Sequence, residues 1–204
     1  MTEAGVLLFS FRRVLAAAGL EAELTALHCI GWHRRRGVFV DAEGREMECC
    51  WKIYPWEWML REPFARHVSA AACGFVEPAW RLLSGHKGML CVLWELFSDH
   101  PALLRCGEER PEGSDAWVAK PVLRREGANV RIVRDRRVVE EIGGEFSDQR
   151  CVYQEYVEAP VQDGLLAQCG VWMCGRKPVA LGIRETAGRI ITGDNAFVPH
   201  VVIG

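Results

Sequence analysis

The run Trp117-Val118-Ala119-Lys120-Pro121 marks the point at which the pattern of the chain changes from helical to strand-like. It begins a series of short strand-like runs after Ser114, and turns rich in Gly, Asp and Asn separate them. The runs are 117–122, 130–134, 137–142, 151–157, 165–174, 179–184 and 189–192. Closely spaced strands with short connections are typical of an antiparallel sheet. The second half of the chain is therefore predicted to be a mainly antiparallel sheet.

The first half of the chain has mainly helical patterns. The predicted elements are helices at 6–19, 56–68, 80–84 and 87–97, a strand at 21–27, a hairpin of 36–40 with 46–54 around the turn 41–44, and a loop at 98–114. Glycine after an apolar helical run, as at Gly19, is a common helix stop. Because helices precede the strands instead of alternating with them, the sequence predicts the α+β class.

Composition excludes several classes of function. The chain has 204 residues, 50% hydrophobic and 25% charged, with a net charge of -2. This near-neutral balance argues against a nucleic-acid partner or an anionic membrane surface. Arg12 and Arg13 interrupt the apolar run of the N-terminus, where a signal peptide would place its charges earlier, and no stretch is long enough to span a bilayer. We therefore expect a cytoplasmic protein.

The nine cysteines are scattered and form no CxxC pair. A zinc site needs two tight pairs, or a set of cysteine and histidine at short spacing. Most of the cysteines lie in apolar runs such as 89–93, where a free cysteine behaves as a small buried hydrophobe. We expect no metal site made of these residues. A cysteine-based redox or metal protein remains the alternative, and it predicts stoichiometric bound zinc.

Lys120 is the most informative charged residue, because it lies inside an apolar strand. An ammonium group buried without a partner is costly, so it must meet an anion or extend to solvent. The segment 124–129 follows, with two arginines, a glycine and an asparagine. Cations and backbone amides in a flexible loop suit phosphate groups. A polar hairpin turn with an incidental lysine is the alternative.

Three further places could contact an anionic ligand or a nucleotide. Lys87 lies at the start of an apolar helix, where backbone amides attract anions. Arg184 ends an apolar strand and suits a phosphate or carboxylate, although a local pair with Glu185 would also explain it. An edge segment at 152–158 could present backbone groups to a purine, with a glutamate or glutamine for a ribose hydroxyl.

These pieces occur in the order found in one family. From about Gly31 to the end, the chain resembles bacterial glutathionylspermidine synthase-like proteins. Agreement of many ordered, tryptophan-rich motifs is much more specific than a single match. The matching stretches are 52–59, 77–80, 93–97, 100–101 with 103–104, 120–121 with 125–129, 152–154, 182–185 and 197–200.

The resemblance implies an ATP-grasp fold, in which two lobes hold ATP. It implies that residues 1–78 are the remnant of a pre-ATP-grasp-like segment and that 79–204 form one or more ATP-grasp lobes of a longer synthetase domain. The family's reaction is carboxylate–amine ligation. ATP phosphorylates the carboxylate, and the amine displaces phosphate from the acyl phosphate. The implied cofactors are ATP and Mg²⁺, and the implied substrates are a glutathione-like carboxylate and a polyamine-like amine.

The resemblance also assigns roles to individual residues. Lys87 and Lys120 correspond to the two lysines that bind the ATP phosphates. Arg184 corresponds to the late arginine at the transferred phosphate or the carboxylate, and with Lys120 it is a candidate catalytic residue. The phosphate-covering loop corresponds to Arg125, Glu126, Gly127, Ala128 and Asn129. The adenine hinge corresponds to Gln154, Glu155 and Tyr156.

The departures from the family pattern are informative as well. Family members carry their magnesium ligands upstream, and no counterpart occurs before Gly31. Arg124 replaces an expected serine, and Asn195-Ala196 replaces an expected serine and arginine. We therefore expect a truncated chain that is a poor enzyme alone, with a second polypeptide as one source of the upstream half. A non-catalytic nucleotide-binding or scaffold remnant is the alternative.

Overall fold

The computed structural model describes residues 3–144 and 150–201. The chain divides into two compact units, Met1–Leu82 and Leu83–Gly204. The assignment of these parts to a pre-ATP-grasp segment and ATP-grasp lobes stays a prediction. No helix in the described part of the chain has the length and apolar character that crossing a membrane requires.

The first unit combines three helices with two small sheets. Its elements are α1 (Glu3–Ala17), a 3-10 turn (Leu27–Cys29), β1 (Gly31–His33), β2 (Val38–Val40), β3 (Cys49–Trp51), α2 (Trp56–Met59), α3 (Ala65–Val68) and β4 (Gly74–Val76). Strands β1 and β2 are antiparallel, whereas β3 and β4 are parallel. Aromatic rings fill the interior, where Phe39 and Trp56 are buried and Phe75 packs edge-on against both.

Several predictions for this unit are wrong in detail. The predicted strand 21–27 does not form. In the predicted hairpin, β2 pairs with β1, which precedes it, and its contact with the segment after the turn is an isolated bridge between Val40 and Glu46. The predicted turn 41–44 is confirmed, because the Asp41 carboxylate accepts from the backbone N–H groups of Glu43 and Arg45. The predicted helix 56–68 splits into α2 and α3, since Pro63 between them lacks an N–H donor.

The second unit is built on two antiparallel sheets. Helices α4 (Arg81–Gly85) and α5 (Gly88–Leu96) come before them in the chain. The five-stranded sheet, in the order β5-β9-β6-β7-β8, is made of β5 (Cys106–Gly107), β6 (Trp117–Pro121), β7 (Arg131–Arg134), β8 (Arg137–Glu141) and β9 (Cys151–Glu155). The four-stranded sheet, in the order β10-β11-β12-β13, is made of β10 (Val161–Gln162), β11 (Leu165–Cys174), β12 (Lys177–Thr186) and β13 (Phe197–Val198).

The core of the second unit contains two apolar clusters against the five-stranded sheet. The first contains Cys91 of α5 with Cys106, Val122 and Val152. The second contains Val118, Ile132 and Ile190. Alternate residues of a strand point to the same side, so Val118, Lys120 and Val122 share one face. This geometry places Lys120 between two apolar clusters.

The predicted α+β class is confirmed, with helices first and mainly antiparallel sheets after them. The strand runs from 117–122 to 179–184 all form strands, with shifts of a few residues at their ends. The predicted strand 189–192 is wrong, because this segment is irregular and its backbone bonds to side chains. The predicted ATP-grasp architecture stays a prediction.

Candidate functional site: a pair of half-buried lysines

Lys120 is held on the central strand of the five-stranded sheet, in β6 between β9 and β7. Its partner across β9 is Val152, and Gln154 lies opposite Val118 on the same face. The Lys120 Nζ atom donates a hydrogen bond to Gln154 Oε1 at 2.5 Å. Because Lys120 is largely desolvated, its pKa is lowered from the usual value of a lysine. The bond to a neutral amide leaves the positive charge without a counter-ion in this contact.

Lys87 lies at the start of α5 and joins the same site. Its backbone N–H donates to the carbonyl of Val122 at 2.9 Å, and its Nζ atom donates to the carbonyl of Arg124. Burial lowers the pKa of Lys87, and the positive charges of Lys120 and Arg125 lower it further. Like charges this close raise the free energy of the site, and an anion between them would relieve the repulsion.

The segment 125–129 forms the tight loop that the sequence predicts. The φ angles of Glu126, Gly127 and Asn129 are 55, +72 and 56, so these three residues are in the left-handed region. Within the loop, Ala128 N–H donates to the Arg125 carbonyl at 3.1 Å, and Val130 N–H donates to the Gly127 carbonyl at 3.1 Å. The structure therefore brings Lys87, Lys120 and Arg125 together beside an ordered loop, as a phosphate site requires.

Gln154 and Glu155 of the predicted adenine hinge lie on β9, which is not an edge strand, and Tyr156 follows directly after it. This part of the prediction is wrong, because β9 lies between β5 and β6 and pairs with both. The Glu155 N–H donates to the Arg105 carbonyl at 2.8 Å, and the Tyr156 N–H donates to the Ala116 carbonyl at 3.4 Å. The Gln154 side chain bonds to Lys120, so it orients that lysine in this structure. The adenine-binding role of Gln154, Glu155 and Tyr156 stays a prediction.

Arg184 lies on the four-stranded sheet, in β12. Its guanidinium packs over the ring of Phe197, 4.4 Å from the ring centroid, as a cation–π contact. Its Nε atom is buried and has no hydrogen-bond partner within residues 3–144 and 150–201. A buried donor of this kind is unusual and is ready to bind an acceptor such as a carboxylate or phosphate oxygen. The predicted catalytic role of Arg184 remains untested.

Two features of the site were not predicted. Cys91 and Cys106 are both buried beneath it, with their Sγ atoms 3.6 Å apart, and Cys106 is the β5 partner of Gln154. Burial and the hydrogen bond to Cys91 raise the pKa of Cys106 to about 12, so its thiol stays protonated at neutral pH. Glu140 is the second feature, and it bonds to backbone far along the chain. No local sequence pattern signals contacts of this range.

The donor chemistry of the site matches phosphate groups and not a metal ion. Lysine and arginine side chains bind phosphate oxygens, whereas Mg²⁺ prefers carboxylate and other oxygen ligands. Among the described residues, no group of three or more His, Cys, Asp or Glu side chains is arranged to hold a metal ion. The residues of the structure therefore fit a nucleotide triphosphate chain and do not fit a dedicated Mg²⁺ site.

A cavity of about 830 Å³ lies elsewhere, within the first unit. Aromatic side chains such as Trp51, Trp58 and Phe75 line it. Among its described lining residues, Lys52 and Glu62 carry opposite charges, and Lys52 already donates to the Tyr54 carbonyl at 3.0 Å. Since a triphosphate needs several converging cations, we place the candidate nucleotide site at the lysine pair and not in this cavity.

Comparison with known proteins finds one matching family model and several similar proteins whose names refer to ligases or synthetases. Residues 6–203 match the family model described as glutathionylspermidine synthase preATP-grasp. A Haemophilus influenzae protein, provisionally named an acid–amine ligase, is 34% identical over 91% of this chain and 50% of its own length. The trypanothione synthetase of Crithidia fasciculata is 31% identical, over 89% of this chain and 32% of its own.

The bifunctional glutathionylspermidine synthetase/amidase of Escherichia coli K12 is 26% identical over 94% of this chain and 35% of its own length. The chain thus spans about half the length of the Haemophilus protein and about a third of the other two. The family model covers nearly all of the chain. The chain therefore belongs to the glutathionylspermidine synthase preATP-grasp family.

Proposed function

We propose that this chain contributes the phosphate-binding part of an ATP-dependent carboxylate–amine ligase. The family and its named relatives support ligation of an acid to an amine as the general chemistry. The single observation that carries the proposal is the pair of desolvated cations, Lys87 and Lys120, beside the ordered loop 125–129. A site that concentrates positive charge favours a polyanion.

In this proposal, Lys87 and Lys120 bind oxygens of the ATP phosphates, and the loop 125–129 covers them. The substrate carboxylate oxygen attacks the γ-phosphorus, and the bond from that phosphorus to the ADP oxygen breaks. The neutral amine nitrogen then attacks the acyl carbon, phosphate leaves with the electron pair of its bond to that carbon, and the nitrogen releases a proton to solvent to give the amide. Negative charge develops on the phosphoryl oxygens, and fixed cations stabilise it because they need no reorganisation during the step.

Arg184 has a separate role in the proposal. Its buried Nε donor and its guanidinium, fixed over the Phe197 ring, provide a rigid site for a carboxylate or for the transferred phosphoryl group. Relatives are named for glutathionylspermidine and trypanothione, so we propose a glutathione-like carboxylate and a polyamine-like amine as the substrates. Among the described residues, no group of three or more His, Cys, Asp or Glu side chains could hold Mg²⁺.

A second candidate function is nucleotide binding without catalysis. The observation that favours it is the absence of a metal-ligand set from the described residues, because the charge of ATP is normally shared with a divalent ion during phosphoryl transfer. This alternative keeps the lysine pair and the loop as a binding site. It predicts nucleotide affinity without turnover.

The test is phosphate release from ATP by the chain in the presence of Mg²⁺, glutathione and spermidine. The assay is run on the chain alone and again with the part of the Haemophilus relative that this chain does not match supplied as a second polypeptide. We expect release that depends on both the acid and the amine, and that Lys120→Ala abolishes. Nucleotide binding without such release in either assay would leave only the binding function.

A further inference from the structure

Glu140 makes an unusual long-range contact at the edge of the five-stranded sheet. It lies on β8, and its carboxylate accepts from the backbone N–H of Arg189 at 2.7 Å and from that of Ile190 at 3.1 Å. Gly188 lies against the same carboxylate, and a Cβ atom there would be 2.7 Å from Glu140 Oε1. Hydrogen bonds to an ionised acceptor are stronger than those between neutral groups. Glu140 therefore fixes the backbone of 188–190, which pairs with no strand.

The segment held in this way continues into the core. Ile190 is 7% exposed and packs with Val118 and Ile132 in the second apolar cluster. Two further hydrogen bonds hold its far end. Asn195 Oδ1 accepts from the Thr192 N–H at 2.7 Å, and the Asn195 N–H donates to the Thr192 carbonyl at 3.2 Å. We call residues 188–195 the clasped segment. It has no regular secondary structure, so side chains supply its order.

The clasped segment lies directly against the loop 125–129. A Cβ atom on Gly127 would be 2.7 Å from Ile190 Cγ2 and 2.8 Å from the Ile191 carbonyl oxygen. A Cβ atom on Gly193 would be 2.6 Å from Glu126 Oε2. All three distances are shorter than an ordinary van der Waals contact. The Ile191 carbonyl lies so close to Gly127 that only glycine fits there, and the side chains of Ile190 and Glu126 pack against the glycines of the opposite segment. The position of the loop is therefore set by the clasped segment.

We propose that Glu140 is a positioning residue for the ATP-phosphate loop. Its carboxylate fixes residues 188–190. These residues pack against Gly127 and so hold the loop 125–129 in the position in which it would cover the phosphates. The expected effect on ATP binding rests on the proposed function, whereas the effect of Glu140 on the position of the loop rests on the contacts alone. The clasped segment also follows β12 directly, so Glu140 links the phosphate loop to the strand that carries Arg184.

The neighbouring residue provides a matched control. Glu141 follows Glu140 on β8 and forms an exposed ion pair with Arg131 at 2.7 Å. Exposed pairs of this kind contribute little to stability. Glu141→Gln therefore removes the same charge from the same strand without touching the clasped segment. Any effect of Glu140→Gln beyond that of Glu141→Gln reports the clasp and not the net charge.

The experiment measures two quantities on wild type, Glu140→Gln and Glu141→Gln. The first is hydrogen exchange without ligand, at the amides of Arg189 and Ile190 and at the loop amides of Ala128 and Val130. The second is the Kd for Mg-ATP by calorimetry. For Glu140→Gln we expect exchange about tenfold faster at all four amides and a Kd about tenfold weaker, since one hydrogen bond to a charged group is lost. Glu141→Gln should match wild type within about twofold.

The two proposals fail in different ways. If exchange rises at 189–190 but not at Ala128 and Val130, Glu140 holds only its own segment and the inference is overturned. If wild type binds no ATP but the loop amides respond to Glu140→Gln, the positioning of the loop stands and the proposed function fails. If Glu140→Gln does not fold, Glu140→Asp keeps both acceptor oxygens on a shorter stem. Exchange in Glu140→Asp should then be faster than in wild type at all four amides, by less than tenfold. No increase at the loop amides would overturn the inference.

Discussion

Replacing Lys120 by methionine removes the charge at the centre of the candidate site and keeps a side chain of similar length. Two effects on stability oppose each other. Gln154 is 9% exposed, so its Oε1 loses its donor in a buried place, which costs about 1–3 kcal/mol. A partly desolvated ammonium is also removed, which removes its desolvation penalty and offsets this loss. We expect a folded variant whose free energy of unfolding changes by less than about 2 kcal/mol.

The same variant should change Lys87. The positive charge of Lys120 is one cause of the lowered pKa of Lys87, after burial and ahead of Arg125. Removing that charge should therefore raise the Lys87 pKa, although burial keeps it below the usual value. ATP loses one charge-assisted hydrogen bond, worth about 1.5–3 kcal/mol, so its Kd should weaken about 10- to 150-fold.

Both effects are measurable. Lysine pKa values follow from NMR titration of the chain with isotope-labelled methyl groups on its lysines, and the Kd follows from calorimetry with Mg-ATP. Lys177→Met is the matched control, because Lys177 is exposed at the start of β12, next to the turn that follows β11. It should leave the Lys87 pKa and the Kd unchanged. An unchanged Lys87 pKa in Lys120→Met would show that the two ammonium groups do not share one site. The assignment of a common phosphate site to the two lysines would then be wrong.

Three further predictions concern other parts of the chain. The raised pKa of Cys106 means that the folded chain should lose stability as the pH rises above the usual thiol value of 9.0 toward about 12, because the unfolded thiol ionises first. Cys106→Ala should flatten that decline in chemical denaturation, and an equally steep decline would contradict the assignment. Gly127→Ala should destabilise the chain by at least about 1–3 kcal/mol, since alanine at φ +72 is strained and meets Ile190, and wild-type stability would contradict the close packing. Trp172 is 64% exposed on β11 with apolar neighbours, so light scattering should show association that Trp172→Ser reduces, whereas a clean wild-type monomer would contradict this expectation.

The sheet of the second unit could be predicted from the sequence because its signals are local. Strand runs separated by turn residues define the elements, and neighbouring strands in a meander pair with each other. The contact between Lys120 and Gln154 follows once β6 and β9 are placed side by side in the observed register. The insertion of β9 between β5 and β6 was not predictable, since β5 has only two residues and carries no strand pattern.

The first unit was predicted less well for physical reasons. Its strands have three residues each, too few for a period-two pattern to show. Parallel pairing of β3 with β4 joins residues far apart in the chain, and no turn signal marks such a pair. The apolar run 189–192 resembles a strand, but its amides bond to Glu140 and Asn195 instead of to a neighbouring strand. Side-chain clasps of this kind depend on tertiary contacts, so local propensity cannot reveal them.

Amide NMR of the chain during titration with Mg-ATP would locate the nucleotide site. We expect saturable shifts at Lys87, at Lys120 and along the loop 125–129, with residues around the cavity of the first unit, such as Tyr54 and Phe75, unaffected. Saturable shifts confined to that cavity would place the nucleotide there, and no shifts in a folded chain at millimolar Mg-ATP would show that the lysine pair does not bind ATP.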